Sequence, residues 1–209
     1  MIDKDYTELL VELAEYQRSR YFGKYRGKVK EVGEGDKLGY ITALVPEIYG
    51  PELDSPWAVP CVPFAGGKHG FVALPEVDDG VWIEFEAGDI SRPIWSGGWW
   101  QDGQLPEPGG VKTRAFITTA GHQLVLDDDG KKVQLLHSDG AKLEMTGDEV
   151  VLSIGQAEIK LTGTGEILLK AGPSEIKLTL TDIKLSSGTG SIVLSASGTN
   201  INNGAINVI

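Results

Sequence analysis

A short repeat fills the C-terminal half of the chain, and it limits the possible folds more than any other feature. From residue 115 onward, a polar residue, an aliphatic residue, any residue and a second aliphatic residue are followed by a glycine or polar turn. Residues 158–161 (EIKL) and 175–178 (EIKL) are typical copies. The first aliphatic residue of each copy advances from position 124 to position 201 in nine steps, which gives a mean period of about 8.6 residues.

Each copy predicts a strand of four or five residues whose two aliphatic side chains point to the same face. A single chain of such strands buries only one face, so it cannot close a core. We also expect turns this short to prevent a strand from pairing with the next one along the chain, which would leave backbone groups unpaired. Three identical chains wound around a common axis would satisfy both requirements and remove the sheet edges. The repeat therefore predicts an intertwined trimeric β-helix, a β-prism spike about 45–50 Å long at ~4.7 Å per strand layer.

The predicted trimer core consists of the aliphatic residues at the two inward positions of each copy from residue 143 onward. They are Leu143, Val150, Leu152, Ile159, Leu161, Ile167, Leu169, Ile176, Leu178, Ile183, Leu185, Ile192, Leu194 and Ile201. The charged residues between them, such as those at 158 and 160, are expected to face water, where exposed pairs contribute little stability.

The N-terminal half divides into a helix and a set of short strands. Residues 1–22 contain one amphipathic helix over positions 3–20, with apolar residues at i, i+3, i+4 and i+7. This helix either packs on its own barrel or docks on a partner subunit. Residues 23–100 read as five or six short strands without helices, which is typical of a small closed barrel. Residues 101–114, rich in proline and glycine, form a linker to the spike at 115–209.

The predicted strands of the barrel are separated by turn residues. They cover residues 25–32, 39–46, 57–64, 70–74, 80–87 and 94–100. The stretch 57–64 carries two prolines, so it is predicted to be an edge or a broken strand. In residues 80–87 (GVWIEFEA), Val81, Ile83 and Phe85 alternate with polar positions and indicate a half-buried strand. The one cysteine, Cys61, has apolar neighbours and is expected to be buried and inert.

Composition and motifs argue against catalysis and nucleic-acid binding. The formal net charge of −11 is opposite to what phosphate neutralisation requires. His69, His122 and His137 lack metal-ligand spacing, and no Ser/His/Asp or Cys/His motif is recognisable, so no catalytic residue, metal site or cofactor is predicted. No apolar run is long enough to span a membrane, and no secretory signal is seen, so we expect synthesis in the cytoplasm. A carbohydrate- or nucleic-acid-binding module on the barrel is the alternative function.

Three stretches carry a resemblance to a known family. They are residues 21–29 (YFGKYRGKV), residues 57–100 (WAVPCVPFAG to SGGWW) and residues 118–128 (TTAGHQLVLDD). The chain resembles baseplate assembly protein V of contractile-tailed phages and the spike module of VgrG proteins of type VI secretion and related contractile injection systems.

The resemblance implies an oligonucleotide/oligosaccharide-binding (OB) barrel followed by a trimeric β-helix. It implies a homotrimer at the centre of a baseplate, below a hub protein, that is driven through the target cell envelope when the sheath contracts. The lysozyme domain and the His-x-His iron site of some relatives have no counterpart in this sequence. Ile206, Val208 and Ile209 of three copies would form a platform for a PAAR-type tip protein. Whether the particle is a phage tail, a tailocin or a secretion device is not encoded in the pattern.

Overall fold

The computed structural model describes residues 6–208 and consists of two compact units that meet between Leu105 and Pro106. The first unit contains a helix and a curled five-stranded sheet, and the second contains a twelve-stranded sheet. The predicted all-β class with an N-terminal helix is confirmed. The boundary between the units lies inside the stretch predicted to be a linker.

Helix α1 (Tyr6–Arg18) is the longer of the two α-helices described. The first residues of the helix predicted over positions 3–20 lie outside the described residues. Its apolar side chains are not covered, since Tyr6 is 87% exposed and Leu10 is 66% exposed. The option in which α1 packs on its own barrel is therefore wrong for the described residues, and docking on a partner stays a prediction.

The curled sheet of the first unit has the strand order β2-β1-β6-β7-β3. Its strands are β1 (Tyr25–Val32), β2 (Ile41–Leu44), β3 (Val59–Pro60), β6 (Gly80–Phe85) and β7 (Pro93–Gly98). A short helix α2 (Pro46–Tyr49) follows β2, and β4 (Ala65–Gly66) and β5 (His69–Gly70) form a small separate hairpin. An isolated bridge between Ile41 and Ala58 joins β2 to the segment that leads into β3. The first and last strands of the order are thus brought together, as in an OB barrel.

The barrel core comes from alternation along the strands, as predicted for residues 80–87. Val81, Ile83 and Phe85 on β6 are buried, whereas their neighbours are half-buried. They pack with Val29, Ile41, Ala43, Val45, Ala58 and Trp95. The indole of Trp95 is 4% exposed and donates a hydrogen bond of 2.9 Å to the Gly39 carbonyl, so its polar atom is satisfied inside the core.

The edge or broken strand predicted at residues 57–64 is confirmed: only Val59–Pro60 forms a strand, at the edge of the sheet, next to the single bridge of Ala58, because two prolines cannot donate to a ladder. The strand predicted at residues 70–74 is largely absent, since residues 71–74 are irregular. The expectation for Cys61 is wrong, since its side chain is exposed rather than buried.

The second unit is a meander in which every strand pairs antiparallel with the next one along the chain. Its strands are β8 (Thr113–Ile117), β9 (Gln123–Asp127), β10 (Lys132–Leu136), β11 (Lys142–Met145), β12 (Glu149–Ile154), β13 (Ala157–Thr162), β14 (Ile167–Ala171), β15 (Ser174–Leu178), β16 (Asp182–Ser187), β17 (Gly190–Ser195), β18 (Gly198–Ile201) and β19 (Ile206–Val208). Eleven strand-to-strand steps of about 4.8 Å give a stack roughly 50 Å long.

The expectation that the turns are too short for a strand to pair with its neighbour is wrong. Ile154 pairs with Ala157, Ala171 with Ser174 and Ser187 with Gly190, so that two residues suffice for each reversal. The first residue of each of these turns is a glycine with a positive φ: 55° at 155, 56° at 172 and 56° at 188. Glycine at this position produces the tight hairpin turn whose twist matches that of the flanking strands.

Threonine hydroxyls close the turns at the opposite edge of the meander. The Oγ1 atoms of Thr146, Thr162 and Thr179 each accept a hydrogen bond of 3.1 Å from a backbone N–H three or four residues ahead. Such side-chain acceptors replace a backbone partner in the turn. Pairing is therefore completed within one chain, and what one chain still leaves uncovered is the apolar face.

Candidate assembly interface

The strand register places the aliphatic residues of the repeat in two continuous rows on one face of the meander. Row A crosses all twelve strands and contains Phe116, Leu124, Leu135, Leu143, Leu152, Ile159, Leu169, Ile176, Leu185, Ile192, Ile201 and Ile206. Row B runs from β9 to β17 and contains Leu126, Val133, Met145, Val150, Leu161, Ile167, Leu178, Ile183 and Leu194. Each member of a row stands opposite a member of the same row on the next strand.

A large part of both rows is accessible in the single chain. Ile159, Leu169 and Ile176 of row A are 40%, 40% and 41% exposed, and Leu161 of row B is 47% exposed. Monomeric proteins rarely expose a contiguous apolar patch of this extent, and larger ones mark interaction sites. The face is therefore a candidate assembly interface.

All fourteen residues predicted as the trimer core lie in these two rows. The prediction began at residue 143 and missed the earlier part of the same rows, Phe116, Leu124, Leu126, Val133, Leu135 and Met145. The repeat pattern at residues 123–126 and 132–135 is the signal that could have included most of them.

The opposite face of the meander, called here the polar face, carries charged side chains in cross-strand ion pairs, with a few apolar side chains among them, of which Val125 and Val151 are 2% and 7% exposed. Lys160 lies 3.2 Å from Glu149, Lys177 lies 2.6 Å from Glu166, and Lys184 lies 3.8 Å from Glu175. Lys177 and Lys184 stand opposite each other in the register and carry the same charge. Each of them is paired with a glutamate, Lys177 with Glu166 and Lys184 with Glu175. A hydrogen bond to Glu166 raises the pKa of Lys177 above its usual value, and the charges of neighbouring acids add to this. The two faces therefore differ: the charged side chains lie on this face, and the exposed aliphatic rows lie on the other.

A groove of about 780 Å³ runs along the apolar face over β13 to β18. Row A forms its floor. One wall is the edge where β13 to β17 turn, and there the side chains are small: Ala157, Ala171, Ser174, Ser187 and Gly190, called here the small edge. No row B residue lines the groove; row B lies beside it on the same face, and its large aliphatic side chains on β13 to β17 are called here the ridge.

The predicted tip platform is only partly described. Ile206 lies on β19, the last strand of the sheet, and is 58% exposed. Val208 belongs to the same strand, but its side chain is not described, and Ile209 lies outside the described residues. One long edge of β19 has no strand partner among the described residues.

The histidines are arranged differently from what their spacing suggested. His122 and His137 face each other across β9 and β10 with ring centroids 4.4 Å apart, and each Nδ1 accepts a backbone N–H, from Ser138 and Asp139 respectively. His69 lies in the separate hairpin of the first unit. Within residues 6–208 no group of three or more potential metal ligands comes together.

On the barrel, Glu84 and Trp99 are in contact with other side chains of the same barrel. Glu84 forms an ion pair with Lys24 and accepts a hydrogen bond from Ser96, and these contacts, that with Lys24 above all, lower the pKa of Glu84. The Arg26 guanidinium lies 5.0 Å from the ring centroid of Trp99, so this chain's own cation covers that ring.

The barrel matches a known family. Residues 25–100 match the model of a family described as the type VI secretion system/phage-baseplate injector OB domain. No curated protein matches the chain significantly. Over the part of the chain that is described, no helix is both long and apolar enough to cross a membrane. The match confirms the resemblance for the barrel, and the meander lies outside the matched segment.

Proposed function

We propose that the chain is the central spike of a baseplate; the support is that residues 25–100 match the model of the type VI secretion system/phage-baseplate injector OB domain, which indicates a baseplate-related structural role. In this proposal three copies form a homotrimer whose meanders pack by their apolar faces. The spike assembles under the hub, carries a tip protein and transiently crosses the target cell envelope. It works by stiffness and needs no catalytic residue, cofactor or nucleic acid.

The observation that carries the proposal is the unbroken apolar face of rows A and B. A face this long is unfavourable in water and becomes a core once sister copies cover it. Each copy contributes one self-paired sheet, so the trimer needs no strand exchange along the meander. This arrangement revises the intertwined β-helix predicted from the repeat.

The width of the meander suits three faces. Strands of five or six residues are about 17–20 Å wide at ~3.3 Å per residue. In a triangular prism with ~17 Å sides, each sheet lies about 5 Å from the axis, which is half of the ~10 Å spacing at which two sheets pack. A square prism of the same sheets would leave the axis roughly 8.5 Å from each wall and the centre unfilled.

The tip protein is proposed to sit on β19 and the residues that follow it. The support is the exposed Ile206 and the unpaired edge of the last strand among the described residues. A pull-down with the full chain and with a chain truncated after Gly198 tests this contact. Equal recovery of the tip protein would rule it out.

Electron microscopy of assembled particles tests the spike itself. We expect a label on this chain to appear on the particle axis at the baseplate end. Ile176→Asp, which places a charge on row A, should prevent incorporation. The matched control Lys177→Asp, one residue away on the polar face, should still be incorporated. Label on the sheath, or equal incorporation of both variants, would contradict the proposal.

A further inference from the structure

The groove and the ridge of the meander have complementary shapes. On β13 to β17 each strand contributes one large aliphatic side chain to the ridge: Leu161, Ile167, Leu178, Ile183 and Leu194. The same five strands contribute the small edge that walls the groove. One side of the apolar face is therefore crowded and the other side has space.

We infer, on the basis of the proposed homotrimer, that the row B ridge of one copy seats in the groove of the next copy, between row A and the small edge. The groove floor repeats at the strand spacing of about 4.8 Å over five strand steps, or roughly 24 Å. A ridge fills every layer of such a groove only if it has the same spacing. The ridge of a second copy has this spacing because both features lie on the same strands.

Side-chain size agrees with this assignment. Alanine, serine and glycine at the small edge leave room for branched side chains, and interiors pack to high density only when large groups face small ones. Each ridge residue described as exposed, such as Leu161 at 47% and Leu194 at 42%, would lose its remaining contact with water.

The contact is heterologous, since a ridge meets a groove and not a second ridge. Each copy then offers one ridge and one groove, and a ring closes when every ridge is seated. An isologous pair would instead bring the same residue of two copies together at its twofold axis. Cysteine cross-linking separates these two arrangements.

The test uses the full chain with Cys61→Ser, which removes its one cysteine. Ala171→Cys places a thiol on the small edge, and a second thiol is placed on the ridge at Leu161, Ile167 or Leu178, which covers the same layer and one layer on each side. Along one strand, positions 167 and 171 are about 13 Å apart at ~3.3 Å per residue. This separation exceeds the roughly 7 Å Cα limit of a disulfide. Any disulfide between these sites must therefore join two chains.

After oxidation with copper–phenanthroline, at least one double variant should run as a covalent trimer on non-reducing gels. The matched control carries Ala171→Cys with Leu168→Cys, whose side chain lies on the polar face next to Ile167, and should stay uncross-linked. The Ala171→Cys single variant should also stay uncross-linked.

Light scattering on each unoxidised variant measures its mass and so tests the homotrimer separately from the ridge-in-groove contact. A trimer in which none of the three ridge positions cross-links overturns the ridge-in-groove contact and leaves the spike proposal standing. Cross-linking of the Ala171→Cys single variant overturns it as well, since small edges would then face each other. If the parent chain and the unoxidised variants all prove to be monomers, both proposals are overturned.

Discussion

Replacing Ile176 by alanine tests whether row A is enclosed by sister copies or exposed to water, because the two cases predict different losses in the free energy of unfolding. In the single chain Ile176 is 41% exposed. The substitution removes three carbons at about 0.8 kcal/mol each when buried. With about three-fifths of the side chain covered, an isolated meander would lose about 1.4 kcal/mol.

In the trimer the same side chain is enclosed, and the cost rises. Ile→Ala in a closed core costs about 2–5 kcal/mol per site because a cavity remains. Three symmetry-related sites then remove about 6–15 kcal/mol per trimer. The control Lys177→Ala deletes the neighbouring side chain on the polar face. That change breaks one ion pair with Glu166 between side chains that are 36% and 30% exposed, so its cost should be small beside that of Ile176→Ala.

Guanidinium unfolding of the full chain can read the two units separately. All five tryptophans lie in the first unit, so tryptophan fluorescence follows the barrel, whereas far-ultraviolet circular dichroism also follows the meander. Ile176→Ala should lower the dichroism midpoint strongly, in a way that depends on chain concentration, and leave the fluorescence midpoint unchanged. A loss near 1.4 kcal/mol per chain that is independent of concentration would refute the enclosed core.

Further predictions concern the turns and the barrel. Gly155→Ala forces a residue with a side chain to φ 55° and should destabilise the meander by about 1–2 kcal/mol, whereas Gly147→Ala, where φ is not positive and space is open, should not. Burial, followed by the charge of Asp89, raises the pKa of Tyr49 to about 12, so tyrosinate absorbance should include a component that titrates near that pH. The stability that the neutral Tyr49 hydroxyl adds should be complete below pH 10 and lost as pH rises through about 12. The Lys24 contact lowers the pKa of Glu84 from 4.5, so the stability that the Glu84 carboxylate adds is present above that pH and is lost as pH falls through the lowered value. Glu84→Gln should therefore lower the midpoint of fluorescence-detected unfolding at neutral pH, and the midpoints of the variant and the parent chain should converge in acid. A gap that persists in acid would contradict the role of the Glu84 charge.

The alternation of aliphatic residues was enough to predict which face of each C-terminal strand is apolar. Side-chain direction follows directly from the two-residue period of a strand, so Ile159 and Leu161 had to share a face. The same logic predicted Val81, Ile83 and Phe85 in the barrel core.

The pairing partners were harder to predict because they depend on turn chemistry. Gly155 and Thr162 look like ordinary loop residues, yet a positive φ in one and a hydroxyl acceptor in the other allow immediate reversal. Overlooking this led to an intertwined β-helix in place of a self-paired meander. In the barrel, residues 71–74 have strand composition but form no strand, and pairing between distant segments is not visible in local composition.

The partners in the ion pairs of the polar face were not predicted. Residues two apart on one strand, such as Glu158 and Lys160, were expected only to face water and to contribute little stability. The structure instead pairs Lys160 with Glu149 on the preceding strand. Cross-strand neighbours lie closer than neighbours along the strand, so the register decides the partners.

The molecular mass of the intact chain in solution, measured by light scattering over a range of concentrations, decides whether sister copies cover rows A and B. Three meanders enclosing one core give a species of about three times 22.4 kDa that persists on dilution. A stable particle of 22.4 kDa that unfolds cooperatively with its apolar face in water would contradict the spike.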